Sequence, residues 1–224
     1  MTEPLMTPIT DDFSSPATMA SHCLKVMQGE YYTPFITTLP ENFIVVDIGG
    51  NIGSFAYWAL TLFNNCTVTT YEPSTANYAM LQKNLAKFGD RVSMYNFGVG
   101  DPIHTELFTG LNNCGEASFF ELGEQGTTSE TVVVKDPSVV PKAHLLKIDT
   151  EGCEVEIMSK LNLSDYTIIM FEYHSEADRR LLDGMLDEFT LIGADSGRAQ
   201  RGVMKYMRTD ALNKATDDIV NGAK

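Results

Sequence analysis

The chain has 224 residues, a length that suits one sizeable domain built around a single core. Hydrophobic residues make up 43% of the sequence, so we expect a folded globule rather than a disordered chain. The formal net charge of −14 disfavours nucleic acids and anionic membranes as partners, because proteins that bind phosphate backbones need a basic surface. Neither is therefore expected as a partner.

The four cysteines are far apart and form no C-x-x-C pair, a pattern typical of free thiols in a reducing compartment. The sequence contains no apolar run long enough to span a bilayer, and its N-terminus is acidic. We therefore expect a cytoplasmic protein. The basic residues at 179–180 and between 198 and 208 are expected to be solvated surface.

Residues 1–41 are predicted to form an N-terminal helical cap segment. Its first dozen residues are expected to be frayed. A short helix should follow, with Ser15 as N-cap, Pro16 at the first helical position and Gly29 as terminator. The next stretch, "EYYTPFITTLPEN", contains two prolines and suits a segment that covers a ligand site.

Residues 42–224 are predicted to form one ligand-binding domain, because strands alternate with helices at a spacing that favours parallel crossovers. Apolar runs such as "FIVV" are typical of strands that are buried on both faces. Strands are predicted in "FIVVDIG", "CTVTTYEP", "VSMYNFGVGD", "HLLKIDTEG" and "TIIMFEYH", and helices in "SFAYWALTLF", "TANYAMLQKNLAKFG", "CEVEIMSKLN" and "EADRRLLDGMLDEF".

Two regions depart from this alternation. The insertion at residues 102–143 has no strong helix pattern, and we predict a set of antiparallel strands near one end of the sheet. Edge strands in this insertion could pair between subunits, so the sequence leaves the formation of a homo-oligomer open. The last segments, "TLIGAD" and "RGVMKYMR", are joined by "SGRAQ" and predict a hairpin.

The segment "VVDIGGNIGSF" places a glycine-rich turn at the end of the first buried strand, where open parallel sheets bind ligands. The dinucleotide fingerprint G-x-G-x-x-G fails here, because Asn51 and Ser54 occupy two of its glycine positions. Asp47 would also repel a pyrophosphate, which disfavours a nicotinamide dehydrogenase and favours a cationic ligand. S-adenosylmethionine has that character, since it carries a sulfonium and an ammonium group and no phosphate.

Asp47 is expected to attract the amino-acid end of this cofactor, directly or through water, while Gly49 lets the backbone approach it. Glu72, in "YEPS" after the second strand, is placed to accept both ribose hydroxyls. The alternative for these two acids is a structural turn and a surface carboxylate. Asp101, after the third strand, is expected to face the adenine edge. The predicted cofactor-binding residues are Asp47, Gly49, Asn51, Gly53, Glu72, Pro73, Gly98, Asp101 and Asp149.

From about Phe43 to about His174 the chain resembles the FkbM-type methyltransferases of the class I, S-adenosylmethionine-dependent superfamily. The segments that carry the resemblance are "VVDIGGNIGSF", "YEPS", "NFGVGD", "LLKIDTEGCE" and "FEYH". The resemblance implies a Rossmann-like α/β fold, with a mostly parallel seven-stranded sheet and a C-terminal antiparallel hairpin. It also implies methylation of hydroxyl groups on sugars or secondary metabolites. The family often has Ala at the position of Gly50, a change expected to leave cofactor binding intact.

A hydroxyl acceptor needs a base near the transferred methyl group. His174 is our first choice, because its unperturbed pKa of ~6.5 lies near working pH. Asp149 is the second choice, and Glu172 lies on the same rim. Alternatively, His174 caps the helix that follows it, and Glu151 and Glu154 stabilise the N-terminus of the helix after the fourth strand.

Other readings stay open at this point. Asp149, Glu151 and Glu172 could hold Mg²⁺, although we expect no metal. His104 and His144 are expected to be structural. The same cofactor-binding residues would also serve methyl transfer to nitrogen or to a carboxylate, or a scaffold protein that binds the cofactor without catalysis.

Overall fold

The structure is a computed structural model that describes residues 6–10, 12–29, 40–110, 113–120, 127–198 and 200–222. Its first half alternates short strands with three helices and ends in a strand-rich insertion. In chain order the elements up to that insertion are β1 (Met6–Thr10), β2 (Phe13–Pro16), α1 (Ala20–Met27), β3 (Phe43–Ile48), α2 (Ser54–Leu62), β4 (Cys66–Tyr71), α3 (Thr75–Leu85), β5 (Val92–Tyr95), β6 (Gly98–Val99), β7 (Glu106–Gly110), β8 (Asn113–Ser118), β9 (Thr128–Thr131) and β10 (Val134–Lys135).

The second half returns to the main sheet and closes with a long hairpin and a helix. Its elements are β11 (Leu145–Ile148), α4 (Glu154–Lys160), β12 (Ile168–Tyr173), α5 (Glu176–Gly184), β13 (Phe189–Arg198), β14 (Arg201–Arg208) and α6 (Thr209–Gly222). Short 3₁₀ helices occupy Ala86–Arg91, Pro137–Val139 and Leu163–Asp165.

Seven strands form the central sheet in the order β13-β14-β12-β11-β3-β4-β5. Neighbours from β12 to β5 are parallel, and β14 is antiparallel to both of its neighbours. All four residues of β11 are buried, as its apolar composition predicts for a central strand. The predicted fold, with a C-terminal antiparallel hairpin, is therefore confirmed.

Side chains alternate between two cores on the two faces of the sheet. Val45 and Leu145 face the core that α1, α2 and α3 cover. Val46 and Leu146 face the second core, which α4 and α5 cover. A polar side chain at an odd-numbered position of β3 or β11 therefore lies under α1 and α2.

The N-terminal segment differs from its prediction. Residues predicted to be frayed form β1, which pairs with β2 in a hairpin. Ser15 and Pro16 belong to β2, and the helix begins at Ala20 after Met19, so the predicted N-cap is wrong. Burial of Phe13 and Ser15 outweighs the local capping pattern here. Gly29, with a φ of +78°, does follow the helix, whereas the predicted covering segment at 30–39 lies outside the described residues.

The insertion contains the predicted antiparallel strands, in the order β8-β7-β9. The predicted third strand, "VSMYNFGVGD", is instead divided into two. Its first part, β5, joins the main sheet, and its second part, β6, pairs in parallel with β10. The side chain of Asn96 lies at the division, where it donates to the carbonyl oxygens of Glu72 at 2.9 Å and Pro73 at 3.1 Å.

The terminal helix α6 was not predicted from the sequence. It packs Ala211 and Leu212 against the first core. Within the residues that the structure describes, no helix is both long and apolar enough to cross a membrane.

Asn84 on α3 ties the N-terminal hairpin to the first loop of the sheet. Its amide Nδ2 donates to the carbonyl oxygens of Ser14 at 3.0 Å and Ile52 at 2.9 Å, and its Oδ1 accepts from the Ser14 N–H at 3.0 Å. The Asn84 side chain is buried, as is its bond to the Ile52 carbonyl oxygen, whereas its two bonds to Ser14 are partly buried.

We therefore expect Asn84→Ala to lower the free energy of unfolding by about 2–4 kcal/mol, because several buried backbone groups lose their partners. Asn65→Ala is the matched control, since the Asn65 amide makes two similar bonds at an exposed position. It should cost less than about 1 kcal/mol. Urea unfolding measures both variants, and equal costs would contradict the anchoring role of Asn84.

Candidate active site

A cavity of about 320 Å³ opens at the carboxyl ends of the central parallel strands. The chain reverses direction across the sheet between β3 and β11, so this is the switch point at which open α/β sheets bind ligands. The cavity is lined by residues 49–51 after β3, by residues 72–73 after β4 and by residues 98–99 of β6, and also by residues 149–151 after β11, Glu172, Arg201 and residues of α1. A cavity of this size holds a small molecule.

The glycine turn after β3 forms the floor of the cavity. Gly49, Asn51 and Gly53 have φ values of +80°, +50° and +93°. The N–H groups of Gly49 and Gly50 donate to the carbonyl oxygen of Tyr71 at 3.1 and 2.9 Å. A Cβ atom at Gly49 would lie 1.8 Å from the carbonyl oxygen of Asp149. The turn therefore touches the end of β11, and only glycine fits there.

The two other glycines of the turn have different roles. A Cβ atom at Gly50 would lie 2.1 Å from Oγ1 of Thr70 and 2.9 Å from Cδ1 of Leu81. An alanine at Gly50 would therefore require Thr70 and Leu81 to shift in this chain. Gly53 precedes α2 and packs against Leu85, behind the floor of the cavity.

A row of polar side chains crosses the sheet beneath this floor. Thr70, Asp47 and Lys147 are in register on β4, β3 and β11, so their side chains lie on the same face. The Thr70 hydroxyl donates to Asp47 Oδ2 at 3.1 Å, and Lys147 Nζ lies 3.1 Å from Asp47 Oδ1. Lys147 Nζ also donates to the Gly49 carbonyl oxygen at 2.7 Å and lies 3.7 Å from Asp149 Oδ2.

This row keeps Lys147 charged inside the protein. Burial alone would lower the pKa of Lys147, but the carboxylates of Asp47 and Asp149 raise it above its usual value. Asp47 is fully buried and is not among the groups that line the cavity. The attraction of Asp47 for a cationic ligand, predicted from the sequence, would therefore act from behind the Gly49 turn.

Glu72 lies at the end of β4 and does line the cavity. Its Oε2 accepts from the Asn51 N–H at 2.7 Å, and its Oε1 accepts from the Ser74 N–H at 2.9 Å. Burial raises the pKa of Glu72 to about 7 and outweighs these two bonds, which lower it. The carboxylate is thus positioned by the backbone and titrates near neutral pH.

These residues fit a ligand with a ribose and an amino-acid tail. Gly49 leaves space where any side chain would clash, and Glu72 presents a carboxylate to the cavity. Asn51 Oδ1 is buried and has no hydrogen-bond partner among the described residues, so it is available to a bound ligand. Pro73 and Gly98 also line the cavity, as does Asp149.

Asp101, like Asp47 and Gly53, is a predicted cofactor residue that does not line the cavity. Its Oδ1 accepts from the Ile103 N–H at 3.0 Å, and its Oδ2 lies 3.8 Å from Lys160 Nζ. The side chain is nearly half exposed, with a relative accessibility of 47%. These contacts place it in a surface turn.

The opposite side of the cavity is a charged rim after β11 and β12. Arg201, the first residue of β14, donates from Nε to Glu172 at 2.6 Å and from Nη2 to Glu151 at 2.7 Å. The expectation that Arg201 is solvated surface is therefore wrong. Burial and the Asp149 charge raise the pKa of Glu172 to about 8, against the opposing effect of Arg201. Glu172 is thus partly protonated at neutral pH.

His174 lies behind this rim and does not line the cavity. Its Nε2 lies 2.8 Å from Glu151 Oε2, and its Nδ1 lies 3.6 Å from Glu154 Oε1. Burial lowers the pKa of His174, but the two carboxylates outweigh it and raise the pKa to about 11. A histidine that is protonated at neutral pH does not accept a proton there. The argument for His174 as the base, an ordinary pKa near neutrality, is therefore wrong in this environment.

The potential ligand atoms on this rim are also spaced as they would be around a bound cation. Ligand atoms of Asp149, Glu151, Glu172 and His174 all lie within 4.8 Å of one another. In this structure the guanidinium of Arg201 is the cation that contacts Glu151 and Glu172.

Three residues at the site were not predicted as functional. Lys147 had a signal in the sequence, because a lysine inside the apolar strand "LLKI" must be buried with a partner. Arg201 had none, since its partners lie 29 and 50 positions away in the chain. His22 on α1 lines the cavity, and only the tertiary position of α1 reveals this.

The seven-stranded sheet, its antiparallel β14 and the cavity at the switch point define a class I methyltransferase fold. The methyltransferase FkbM domain matches residues 47–197, which is more than half of the chain. The chain therefore belongs to the FkbM methyltransferase family, and it is an S-adenosylmethionine-dependent methyltransferase. The resemblance seen in the sequence is confirmed.

Known proteins similar to this chain include the AMB antimetabolite synthetase AmbE of Pseudomonas aeruginosa, which is 23% identical over 246 residues. That match covers 86% of this chain and only 11% of the much longer synthetase. Among solved structures, a chain of the fibrillarin/Nop5p complex has a TM-score of 0.54 at 11% identity. The match covers 92% of this chain and 92% of that chain. The pyocyanin biosynthetic protein PhzM has a TM-score of 0.50 at 11% identity, with 85% of this chain and 56% of PhzM covered. These two likenesses concern the fold alone.

The contact between Gly49 and the end of β11 gives a direct prediction. Gly49→Ala should lower the free energy of unfolding by more than about 2 kcal/mol, because it combines a positive φ with a backbone clash. Gly184→Ala, in α5, is the control, since a Cβ atom there meets nothing within 4 Å. It should change stability by no more than about 1 kcal/mol, in the stabilising direction. Thermal and urea unfolding distinguish the two, and a tolerated Gly49→Ala would contradict the described turn.

Proposed function

We propose that this protein transfers the methyl group of S-adenosylmethionine to a hydroxyl group of a small acceptor, such as a sugar or a secondary metabolite. The observation that carries the proposal is one continuous cavity with two chemically different sides. The glycine turn and Glu72 form a side suited to the cofactor, and the residues after β11 and β12 form a side with titratable groups. Methyl transfer to a hydroxyl needs both.

The cofactor side supplies acceptors of hydrogen bonds. S-adenosylmethionine contributes a methyl group on a positively charged sulfur. The Glu72 carboxylate is positioned to accept ribose hydroxyls, and the unpartnered Asn51 Oδ1 offers a further acceptor. Gly49 lets the ligand lie against the backbone. Asp149 adds negative charge beside the site, which favours a cationic ligand.

The acceptor side orients a hydroxyl group. Burial raises the pKa of Glu172, which favours a protonated carboxyl that can donate a hydrogen bond to an acceptor oxygen. Arg201 holds Glu172 in place. The net charge of −14 opposes a nucleic-acid acceptor.

Isothermal titration calorimetry with S-adenosylhomocysteine tests the cofactor half of the proposal. Saturable one-site binding is expected, and no binding at millimolar ligand would remove the proposed function. A screen of hydroxylated small molecules with S-adenosylmethionine tests the acceptor half. NMR of the product should place the new methyl group on a hydroxyl oxygen. A methyl group on nitrogen or on a carboxylate would contradict the hydroxyl acceptor and identify the acceptor group instead.

The pKa of Glu72 predicts a pH dependence for cofactor binding. Burial raises this pKa to about 7, so the carboxylate is ionised above that pH and protonated below it. The ionised form accepts ribose hydroxyls, and the dissociation constant for S-adenosylhomocysteine should therefore rise as the pH falls below 7, by up to about tenfold per unit. Isothermal titration calorimetry at about six pH values, from roughly pH 5.5 to roughly pH 8.5, measures this dissociation constant.

Glu72→Gln keeps the shape of the side chain and removes its charge. The variant should bind more weakly at pH 8 and show no dependence on pH between about 6 and 8. An unchanged pH dependence in Glu72→Gln would show that another group is responsible and would remove the ribose assignment of Glu72.

A further inference from the structure

The helix α1 forms one side of the cavity. Met19, Cys23 and Val26 present buried apolar side chains to it, and His22 lies between them at its mouth. Among the described residues that line this cavity, His22 is the one histidine. It faces the same space as Asp149 and Glu172, across from the glycine turn.

We propose that His22 is the general base of the reaction, an inference that rests on the methyltransferase function proposed above. A ring nitrogen of neutral His22 takes the proton of the acceptor hydroxyl. The oxygen uses an electron pair to form the bond to the methyl carbon, and the electron pair of the carbon–sulfur bond returns to sulfur. The imidazolium then gives its proton to water at the mouth of the cavity, where the side chain is exposed.

The other titratable groups around the cavity suit this role less well. His174 is held in its protonated form by Glu151 and Glu154 and does not line the cavity. Glu172 is bound to Arg201 at 2.6 Å. Asp149 lies 3.7 Å from the Lys147 ammonium. Burial raises the pKa of Glu172, so Glu172 is the competing base, but its carboxylate is held in an ion pair with Arg201.

The charges that face His22 come from three elements. Asp149 and Lys147 belong to β11 and its end, Arg201 belongs to β14, and Lys25 lies on α1 itself. Partial burial lowers the pKa of His22, and the three cations act in the same direction. Asp149 opposes them and would stabilise the imidazolium once it forms. Glu151 and Glu172 also border the cavity. His22 is thus neutral before proton transfer, and a carboxylate stands near to balance its charge afterwards.

The fold fixes the position of α1 over the site. Cys23 and Val26 are buried in the core beneath the helix. The Met19 N–H donates to the Pro16 carbonyl oxygen at 2.9 Å, and the preceding strand is tied to α3 through Ser14 and Asn84. His22 is therefore carried on an anchored helix, which suits a group that must keep its distance to the acceptor.

An electrophilic cofactor analogue tests this assignment without a known acceptor. The probe is an adenosine derivative that carries an aziridine at its 5′ position, where the cofactor carries its sulfonium. The imidazole lone pair attacks a ring carbon, the carbon–nitrogen bond opens, and its electron pair stays on the nitrogen, which takes up a proton. We expect the adduct on the peptide that contains His22, and excess S-adenosylhomocysteine should suppress it.

Two variants control the labelling. His22→Ala should lose at least nine tenths of the S-adenosylhomocysteine-sensitive adduct, on the order of a tenfold decrease, while its affinity for S-adenosylhomocysteine stays at the wild-type value. Ser21→Ala changes the exposed neighbour on the same helix and should label like the wild type. An adduct on Asp149 or Glu172 with His22 unmodified would overturn the proposal. The proposal would also be overturned if the probe competes with S-adenosylhomocysteine for the site but leaves no adduct on the protein.

Titration of the four histidines by NMR supplies a second readout. The His22 resonance, assigned by its loss in His22→Ala, should report a neutral ring at pH 7 in the complex with S-adenosylhomocysteine. A protonated His22 at that pH would overturn the proposal. Failure of S-adenosylhomocysteine to bind would instead remove the proposed function itself, so the two failures are distinguishable.

Discussion

The site depends on the contacts that the ammonium group of Lys147 makes. It joins the strand that carries it to the neighbouring strand through Asp47, to the glycine turn through the carbonyl oxygen of Gly49, and to the end of β11 through Asp149. Lys147 and Asp47 are almost fully buried, so Asp47 would be an uncompensated charge without Lys147. Because the two strands meet at the switch point, this pair sets the distance between the two sides of the cavity.

A second set of charges orders the acceptor side. Arg201 reaches from the hairpin to Glu172 and Glu151, while His174 neutralises Glu151 from behind. Glu154 accepts hydrogen bonds from the N–H groups of Thr150 and Gly152, which fixes the loop after β11. Each acid on this rim therefore has a defined partner, and the side chains face the cavity in fixed positions. Such an arrangement orients an acceptor before any reaction takes place.

The sequence predicted the parts of the structure that depend on local patterns. Buried strands such as β3 and β11 are mostly apolar, and the alternation of strands with helices was sufficient to predict the parallel sheet. The glycine turn, Glu72 and Asp149 were found because they follow those strands directly. The match with FkbM methyltransferases then confirmed the class of enzyme.

Other features depend on contacts between distant segments, and local patterns do not contain them. Ser15 has the composition of a helix cap, but its burial in the N-terminal hairpin places it in β2. Arg201 looks like a surface residue until the hairpin folds back against Glu172. His174 was assigned an ordinary pKa, because the carboxylate of Glu151 contacts it only in the folded chain. His22 reaches the cavity only through the placement of α1.

A double-mutant cycle on Lys147 and Asp47, measured by urea unfolding, tests the central claim most directly. Lys147→Met alone should lower the free energy of unfolding by about 3–5 kcal/mol, because it leaves the buried Asp47 charge without a partner. Lys147→Met combined with Asp47→Asn should lose markedly less than the sum of the two single variants, since neither charge remains. Additive losses, or a Lys147→Met variant as stable as the wild type, would contradict the claim that this buried pair holds the site together.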